Sequence, residues 1–466
     1  MAGPIPLGVR EDGSFLNVLD KRAMWNWSLA RAEAPAHDRK LVHDCTRPVP
    51  PSTGKPKDHL GVVRLDGAEV DDLNRTGWAV LYGPGTSDAI KKQLEPLIEY
   101  RRGMIKDPNL FKVFDGQNGG YSAGQSVEDW LKQFRISADT QVRPSAGVPF
   151  YVMIVASPED IPFEFQFELD VYWGVGRLWL NQEEDYGVYA RAVIEYETCH
   201  RPAASRNMAF FATRFERDNG GTAMICDGLL QPLLEQKLGE DYDFKVDVIT
   251  GKDATRDRLI NLYGGGPNRP AIYFCGTHGA QRDLTSDQLA ATQGALIAEP
   301  WAGDKPPEWN QFMASRDVPK DADLTGTVHF LFACYGGGWP RYSSYDGAEV
   351  APAPMVARLP QKILAKGGLA VFAHIDRAWT YSFQSGDGID STQQYEDLIS
   401  KIMKGRRAGN ASDSYNFQWS VLGGKIAEKI ANRTIGSTEA AHALWIEHDD
   451  ARNHILYGDP AVCLRG

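Results

Sequence analysis

Short runs of apolar residues alternate with amphipathic stretches along most of this chain. The apolar runs are typical of strands buried in a parallel sheet, and they occupy positions 77–82, 150–155, 208–213, 244–249, 270–274, 328–333 and 369–373. Helical spacing of apolar positions predicts helices at 86–102, 126–134, 186–198, 222–238, 253–263, 360–366, 392–403 and 419–432. Strands that alternate with helices form right-handed βαβ units, so the pattern predicts an α/β fold: a mainly parallel sheet between two layers of helices.

Proline and glycine divide the chain into regions. Residues 47–61 are rich in proline and predict a linker or an extended arm. A second group of proline and glycine residues predicts a domain break near 140–148. We therefore expect an N-terminal α/β region at 1–145, of open role, and a main domain at 146–466. The main domain divides into a leading subdomain at 146–205 and a core at 206–466.

Two predicted strands end in residues that can do chemistry. The strand at 328–333 leads into Cys334, which three glycines follow, and the strand at 270–274 leads into His278 and Gly279. Catalytic groups collect at the carboxyl ends of parallel strands, and glycines leave the backbone near a thiol open to a substrate. A thiol needs a neighbouring base to ionise at neutral pH, and imidazole, with a free pKa of about 6.5, suits that task.

This pair of strand ends resembles the caspase/gingipain superfamily of cysteine peptidases, and in particular its gingipain-like and CHAT-type members. Segments 151–178 and 369–383 look like parts of gingipain-like proteins, and the Gly-Asp-Pro sequence at 458–460 looks like their end signature. The resemblance covers about residues 145–466. It implies a caspase-like three-layer sandwich and a peptidase that forms an acyl-enzyme.

The resemblance also implies roles for individual residues. Cys334 is the expected nucleophile, and His278 is the expected general acid and base. The backbone N–H groups of Gly279 and Cys334 are the expected oxyanion hole. Trp379 is expected to pack on the substrate, and Asp376 is a candidate for a pocket that selects Arg or Lys by charge pairing.

Each of these residues also has a plain structural interpretation. Cys334 could be a buried structural thiol, and His278 could be a loop histidine. Asp376 could equally pair with Arg377 or another neighbour as a structural ion pair. Cys275 lies within a predicted strand, so core packing is its expected role.

Composition and charge narrow the function further. Hydrophobic residues make up 42% of the 466 positions, which supports a substantial core, and the net charge of −11 without a basic stripe argues against nucleic acid as a partner. No signal peptide and no apolar run long enough to span a membrane is visible. Six scattered cysteines without a CxxC pair therefore predict free thiols in a reducing cytoplasm, whereas gingipains are secreted.

No metal or other cofactor is expected. The spacing of His37, His43 and Cys45 matches no usual zinc pattern. Some relatives bind calcium, but acidic clusters such as residues 183–185 do not by themselves indicate it.

Three functions remain open on the sequence. A cysteine endopeptidase is favoured because both members of the Cys–His pair are present. A catalytically silent or latent scaffold with a regulatory partner is the alternative, because a fold does not establish a function. A thiol hydrolase or acyltransferase would have a reactive Cys334 without peptide cleavage. A peptidase made in its own cytoplasm needs restraint, so we expect a latent or very selective enzyme that acts on proteins or peptides.

Overall fold

The structure is a computed structural model that describes residues 4–16, 19, 22–24, 27, 68–137, 141–200, 203–303, 305–384, 392–432 and 439–465. The proline-rich stretch predicted at 47–61 lies outside these residues, as do His37, His43 and Cys45. No helix in the described ranges is long and apolar enough to cross a membrane.

Within the described residues the chain forms sixteen strands, which we number in chain order. They are β1 (Gly8–Arg10), β2 (Trp78–Tyr82), β3 (Phe111–Phe114), β4 (Tyr151–Val155), β5 (Gly174–Arg177), β6 (Ser205–Ala212), β7 (Lys245–Thr250), β8 (Pro270–Gly276), β9 (Gly279–Gln281), β10 (Leu296–Ile297), β11 (Phe312–Met313), β12 (Val328–Phe332), β13 (Gly338–Trp339), β14 (Met355–Val356), β15 (Ala370–His374) and β16 (His454–Gly458).

Helices connect most of these strands. Those of eight residues or more are Asp88–Gly103, Phe163–Asp170, Glu183–Glu197, Arg256–Gly264, Arg358–Ala365, Gln393–Met403, Asp413–Ala431 and Glu439–Arg452. Shorter helices are Leu73–Thr76, Val127–Lys132, Gly221–Met224, Gln231–Glu235, Leu289–Thr292 and Ala408–Ala411.

Ten of the strands form one large sheet in the order β3-β2-β4-β5-β16-β15-β12-β8-β6-β7. All neighbours in it are parallel except β15 and β16, which are antiparallel. Its central strands β12 and β15 are buried along their whole length, as their continuous apolar sequences predict. The predicted α/β fold with a mainly parallel sheet is confirmed.

The sheet runs without interruption across the boundary predicted at 145/146. Strands β2 and β3 come from the N-terminal region, and β2 pairs with β4 along five consecutive residues. The N-terminal region therefore supplies one edge of the same sheet that carries the candidate nucleophile. The division of the chain into domains remains a prediction.

Several elements carry too weak a pattern to be predicted. Strand β5 contains Gly174 and Gly176, and these glycines leave room for neighbours, since a Cβ atom on Gly176 would run into the Gly458 carbonyl oxygen. Residues predicted as one helix at 222–238 form two short α-helices separated by a π-helix, Ile225–Leu230. The final strand β16 and the helix before it also lack predicted counterparts.

A buried ion-pair network links the Gly-Asp-Pro segment to helix Asp88–Gly103, which follows strand β2. Both side chains of the Arg101–Asp459 pair are fully buried, with Arg101 Nε 2.7 Å from Asp459 Oδ2. Arg101 also donates two hydrogen bonds to Glu197, and the Trp78 indole donates one to Asp459. Asp459 therefore has a structural role at the end of β16.

Candidate active site

The two strand ends singled out in the sequence lie side by side. Strands β8 and β12 are parallel neighbours, and their last residues, Gly276 and Phe332, are partners in the register. The Thr277 N–H donates a 3.1 Å hydrogen bond to the Phe332 carbonyl, which continues the pairing by one more step. His278 and Cys334 each follow two residues after these paired ends, so the sheet brings them to one edge.

Cys334 begins a tight turn. The residue after it, Tyr335, has a left-handed φ of 59°, which is uncommon for a residue other than glycine and stores strain at the turn. A hydrogen bond from the Gly336 N–H to the Ala333 carbonyl closes the turn at 3.1 Å. The strand therefore ends abruptly at the thiol, because Tyr335 departs from extended geometry.

The Cys334 thiol is fully buried in this structure. The Ala378 N–H donates to Sγ at 3.3 Å, and Sγ lies 3.6 Å from the Ala378 carbonyl oxygen. Burial raises the pKa of the Cys334 thiol well above its ordinary value, because a thiolate there would lack solvation. Burial therefore disfavours ionisation of this thiol.

Two backbone N–H groups next to the thiol converge on a single oxygen. The N–H of Gly279 and the N–H of Cys334 donate hydrogen bonds of 2.9 and 3.1 Å to the Leu7 carbonyl oxygen. These are the two groups expected to form an oxyanion hole. Two donors at such distances from one carbonyl oxygen match the geometry that stabilises a developing negative charge on it.

His278 is held by an aspartate that the sequence analysis did not identify. Its Nε2 lies 3.1 Å from Asp218 Oδ2, and both side chains are almost completely buried. Asp218 also accepts hydrogen bonds from the Thr222 N–H and hydroxyl and from the Gly220 N–H. Burial alone would raise the pKa of Asp218, but the hydrogen bond and charge of His278, with the Thr222 bonds, lower it below its ordinary value.

This contact orients the imidazole. With Nε2 donating to Asp218, the second ring nitrogen, Nδ1, is buried and has no hydrogen-bond partner among the described residues. Aromatic rings surround the imidazole: Phe215 stacks at 6.2 Å between centroids, and Trp301 and Phe15 lie at 6.0 and 5.5 Å. Nδ1 is therefore the nitrogen left for proton transfer, in an apolar enclosure.

The signal for Asp218 was present but short. It lies six residues after β6, a parallel neighbour of β8, in the sequence Asp-Asn-Gly-Gly. An acid beside two glycines just after such a strand is a candidate for the same sheet edge.

Asp376 lies at the same edge but its oxygens already have partners. The carboxylate is fully buried and accepts hydrogen bonds from the Ser344 N–H at 2.8 Å, the Ser344 hydroxyl at 3.2 Å and the Arg377 N–H at 2.8 Å. These contacts favour its structural interpretation. Its selection of Arg or Lys remains a prediction.

Trp379 is also buried, and its ring packs at 5.6 Å from that of Tyr345. Its backbone forms an antiparallel bridge with Pro6, and its N–H donates to Asp450. The Trp379 backbone thus pairs with Pro6, while packing of its ring on a substrate remains a prediction. Cys275 is buried in β8, as its predicted core role requires.

Metal ligands are not gathered in the described part of the chain, where no group of three or more His, Cys, Asp or Glu side chains could hold an ion. The acidic residues 183–185 form the first turn of helix Glu183–Glu197. Acidic side chains at a helix N-terminus are stabilised by the helix dipole, which gives this cluster a structural reason.

No family model and no curated protein matches the chain. Solved structures similar to it include one named as a protease, at 12% identity and a TM-score of 0.49, covering 84% of this chain and 79% of that chain. The complex of the pro- and mature domains of RgpB from Porphyromonas gingivalis has 14% identity, a TM-score of 0.45, and coverage of 84% and 80%. A separase–securin complex from Saccharomyces cerevisiae has 12% identity, a TM-score of 0.34, and coverage of 68% and 16%.

The chain carries a cysteine and a histidine at neighbouring strand ends of a mainly parallel α/β sheet.

Proposed function

We propose that this chain is a cysteine endopeptidase that hydrolyses peptide bonds through a thioester on Cys334. The observation that carries the proposal is the Leu7 carbonyl oxygen, which accepts hydrogen bonds from the N–H groups of Gly279 and Cys334. Two backbone N–H groups that hold a peptide carbonyl oxygen in this way could stabilise the oxyanion that forms when the Cys334 sulfur attacks a substrate.

The proposed reaction uses groups of this chain and water. His278 takes the thiol proton, and the Cys334 sulfur attacks the substrate carbonyl carbon, whose oxygen gains negative charge between the two N–H donors. As the C–N bond breaks, His278 gives its proton to the leaving amine. Water then attacks the thioester, which releases the new carboxylate and restores the thiol.

Asp218 has a positioning role in this scheme. Its carboxylate accepts the Nε2 proton of His278 and so keeps Nδ1 available for the thiol and the leaving amine. Its charge also stabilises the imidazolium that forms between the two proton transfers. Burial of both side chains strengthens that interaction, since little water competes.

The test is a diverse peptide library incubated with the intact protein and read by mass spectrometry, beside Cys334→Ala. We expect cleavage with the wild type and none with the variant. Cleavage by both proteins would rule out Cys334 as the nucleophile.

A silent scaffold is the competing function, and the full burial of the Cys334 side chain is the observation that favours it. An electrophilic probe for Cys334 separates the two. A Cys334 that the probe reaches in a protein that cleaves nothing would contradict the peptidase proposal.

A further inference from the structure

Residues 5–7 lie beside Cys334 as an extended strand that pairs with residues 378–380. We call the space that they occupy the groove. The Leu7 N–H donates a 2.9 Å hydrogen bond to the Ala378 carbonyl, and the Thr380 N–H donates a 3.1 Å bond to the Ile5 carbonyl. The Ile5 N–H in turn donates to the Thr380 hydroxyl at 3.2 Å. This is antiparallel strand pairing, the mode in which extended peptides add to an exposed edge.

The segment continues past the thiol along a second edge. Residues Gly8–Arg10 form β1, which pairs in parallel with β9, with Gly8 opposite Gly279. The Leu7–Gly8 peptide bond is therefore the point at which the segment passes from one edge to the other. It is also the peptide bond whose oxygen the two donors hold.

The Leu7 side chain fills an apolar recess. It is fully buried, and a Cβ atom on Gly221 would lie only 2.8 Å from its Cδ2 and 3.2 Å from Ile5 Cγ2. The absent side chain of Gly221 thus makes the room that the leucine occupies. Asp376, the candidate for a cation-selective pocket, already accepts hydrogen bonds from the Ser344 and Arg377 N–H groups.

Residues 8–16 fold back over the site as a cover. The Leu16 N–H donates to the Gly8 carbonyl at 3.0 Å, and the Phe15 ring lies 5.5 Å from the His278 ring. A Cβ atom on Gly8 would lie 3.0 Å from Cys334 Cβ and would run into Leu16. Residues 8–16 therefore contact both Cys334 and His278 and contribute to their burial.

We propose that residues 5–8 are a tethered mimic of the substrate. The groove binds extended peptides with an aliphatic side chain of leucine size before the cut, and this segment occupies the groove until a peptide displaces it. The inference rests on the proposed function. It adds the class of substrate that the site binds and the segment that restrains its activity.

A tethered segment competes strongly because its local concentration is high. Short tethers give effective concentrations of about millimolar, so a free peptide must bind well to compete. The apparent affinity for substrate is the affinity of the open groove multiplied by the fraction of molecules in which the groove is open. Selectivity follows, since weakly bound peptides do not displace the segment.

The first experiment measures occupancy without requiring catalysis. Leu7→Asp places a charge in the apolar recess and should release the segment, whereas Ile430→Asp makes a similar change at an exposed position of helix Asp413–Ala431. Iodoacetamide is added to the intact, folded protein. The protein is then digested, and the alkylated fraction of the peptide that contains Cys334 is measured by mass spectrometry. We expect labelling to accelerate at least about tenfold in Leu7→Asp and to stay at the wild-type rate in Ile430→Asp.

A free peptide should restore the protection. Acetyl-Ile-Pro-Leu-amide, which copies residues 5–7, should slow labelling of Leu7→Asp again. Leu7→Ala serves as a milder second variant with an intermediate rate, and thermal melting checks that each variant is folded. Equal labelling of folded Leu7→Asp, Leu7→Ala and wild type would overturn the proposed occupancy.

The second experiment measures specificity. In the Leu7→Asp background, a reporter amide of Ile-Pro-Leu should be cleaved at least about tenfold faster than that of Ile-Pro-Arg, since an unpaired cation is costly in an apolar recess. Adding Gly221→Val should reverse the order of leucine and alanine substrates by filling the recess. Faster cleavage after arginine would overturn the substrate class while leaving the peptidase intact.

The two proposals fail in different ways. Accelerated labelling without cleavage of any peptide would overturn the peptidase and leave the tethered segment in place. Cleavage at equal rates by wild type and folded Leu7→Asp, with equal labelling, would overturn the tethered segment and leave the peptidase in place.

Discussion

His278 Nε2 donates a hydrogen bond to Asp218 Oδ2 across 3.1 Å, and both side chains are almost completely buried. Replacing Asp218 with asparagine should lower kcat/KM about a hundredfold or more, because an amide can hold the wrong imidazole tautomer and carries no charge for the imidazolium. Steady-state rates on a library-derived peptide, measured from pH 5 to pH 9, would show it.

The matched control for that change is Asp227→Asn. Asp227 pairs with Arg214 at the surface, where the substitution should leave the rate unchanged. The Asp218 pKa is lowered in the folded protein, so its charge is present above the ordinary carboxyl pKa and is lost only as pH falls through the lower folded value. An undiminished rate for Asp218→Asn would remove Asp218 from the mechanism.

Asp376 should act on stability and not on the choice of substrate. Its carboxylate accepts hydrogen bonds from Ser344 and Arg377, so Asp376→Asn should lower the melting temperature. The ratio of kcat/KM for leucine and arginine peptides should stay the same. A loss confined to arginine peptides would instead establish the charge-selective pocket predicted from the sequence.

Arg101→Met should destabilise the fold strongly. The substitution leaves the buried Asp459 carboxylate without its cation, which costs about 3–5 kcal/mol of the free energy of unfolding. The adjacent Arg102 is half-exposed and pairs with Glu99, so Arg102→Met should change stability by less than about 1 kcal/mol. Denaturant titration of both variants provides the comparison, and equal stabilities would contradict the network's importance.

The buried Asp170 should make the protein less stable as pH rises. Burial raises its pKa to about 7, although the Val175 N–H donates to it, so the folded state holds a proton that the unfolded state has released. The free energy of unfolding should therefore fall between about pH 4 and pH 7 and then level off, by as much as about 4 kcal/mol from this group.

Asp170→Asn should remove that part of the pH dependence, since an amide does not titrate. Unfolding curves at pH 5 and pH 8 for wild type, Asp170→Asn and the surface variant Asp241→Asn would measure it. If Asp170→Asn and wild type lost the same stability between these pH values, Asp170 would not carry a raised pKa.

The sequence was informative wherever a local pattern is physically enforced. Strands buried on both faces must be apolar, so β8 and β12 were predictable, and so was the placement of His278 and Cys334 at their ends. Asp218 escaped prediction because it lies in a loop, where no periodicity marks a side chain that turns toward a distant histidine. Strand β5 escaped because its glycines serve close backbone approach and leave no apolar run.

The placement of residues 5–8 in the groove could not be predicted from the sequence for a different reason. The pairing of Gly8 with Gly279 and of Ile5 with Thr380 spans more than 270 residues, and the sequence of residues 5–8 has no strand or helix periodicity. Their conformation is set by the edges they join. Such long-range pairing is visible only when the whole sheet is assembled.

The position of strand β16 in the sheet constrains the order in which the sheet can form during synthesis. It lies in the middle of the large sheet, between β5 and β15, although it is the last of the described strands to be synthesised. On the ribosome, the half of the sheet formed by β2 to β5 and the half that contains β12 cannot join until residues 454–458 have been synthesised. The complete sheet can therefore form only after translation has passed β16. A nascent chain that stalls earlier would expose two unpaired sheet edges to chaperones and proteases.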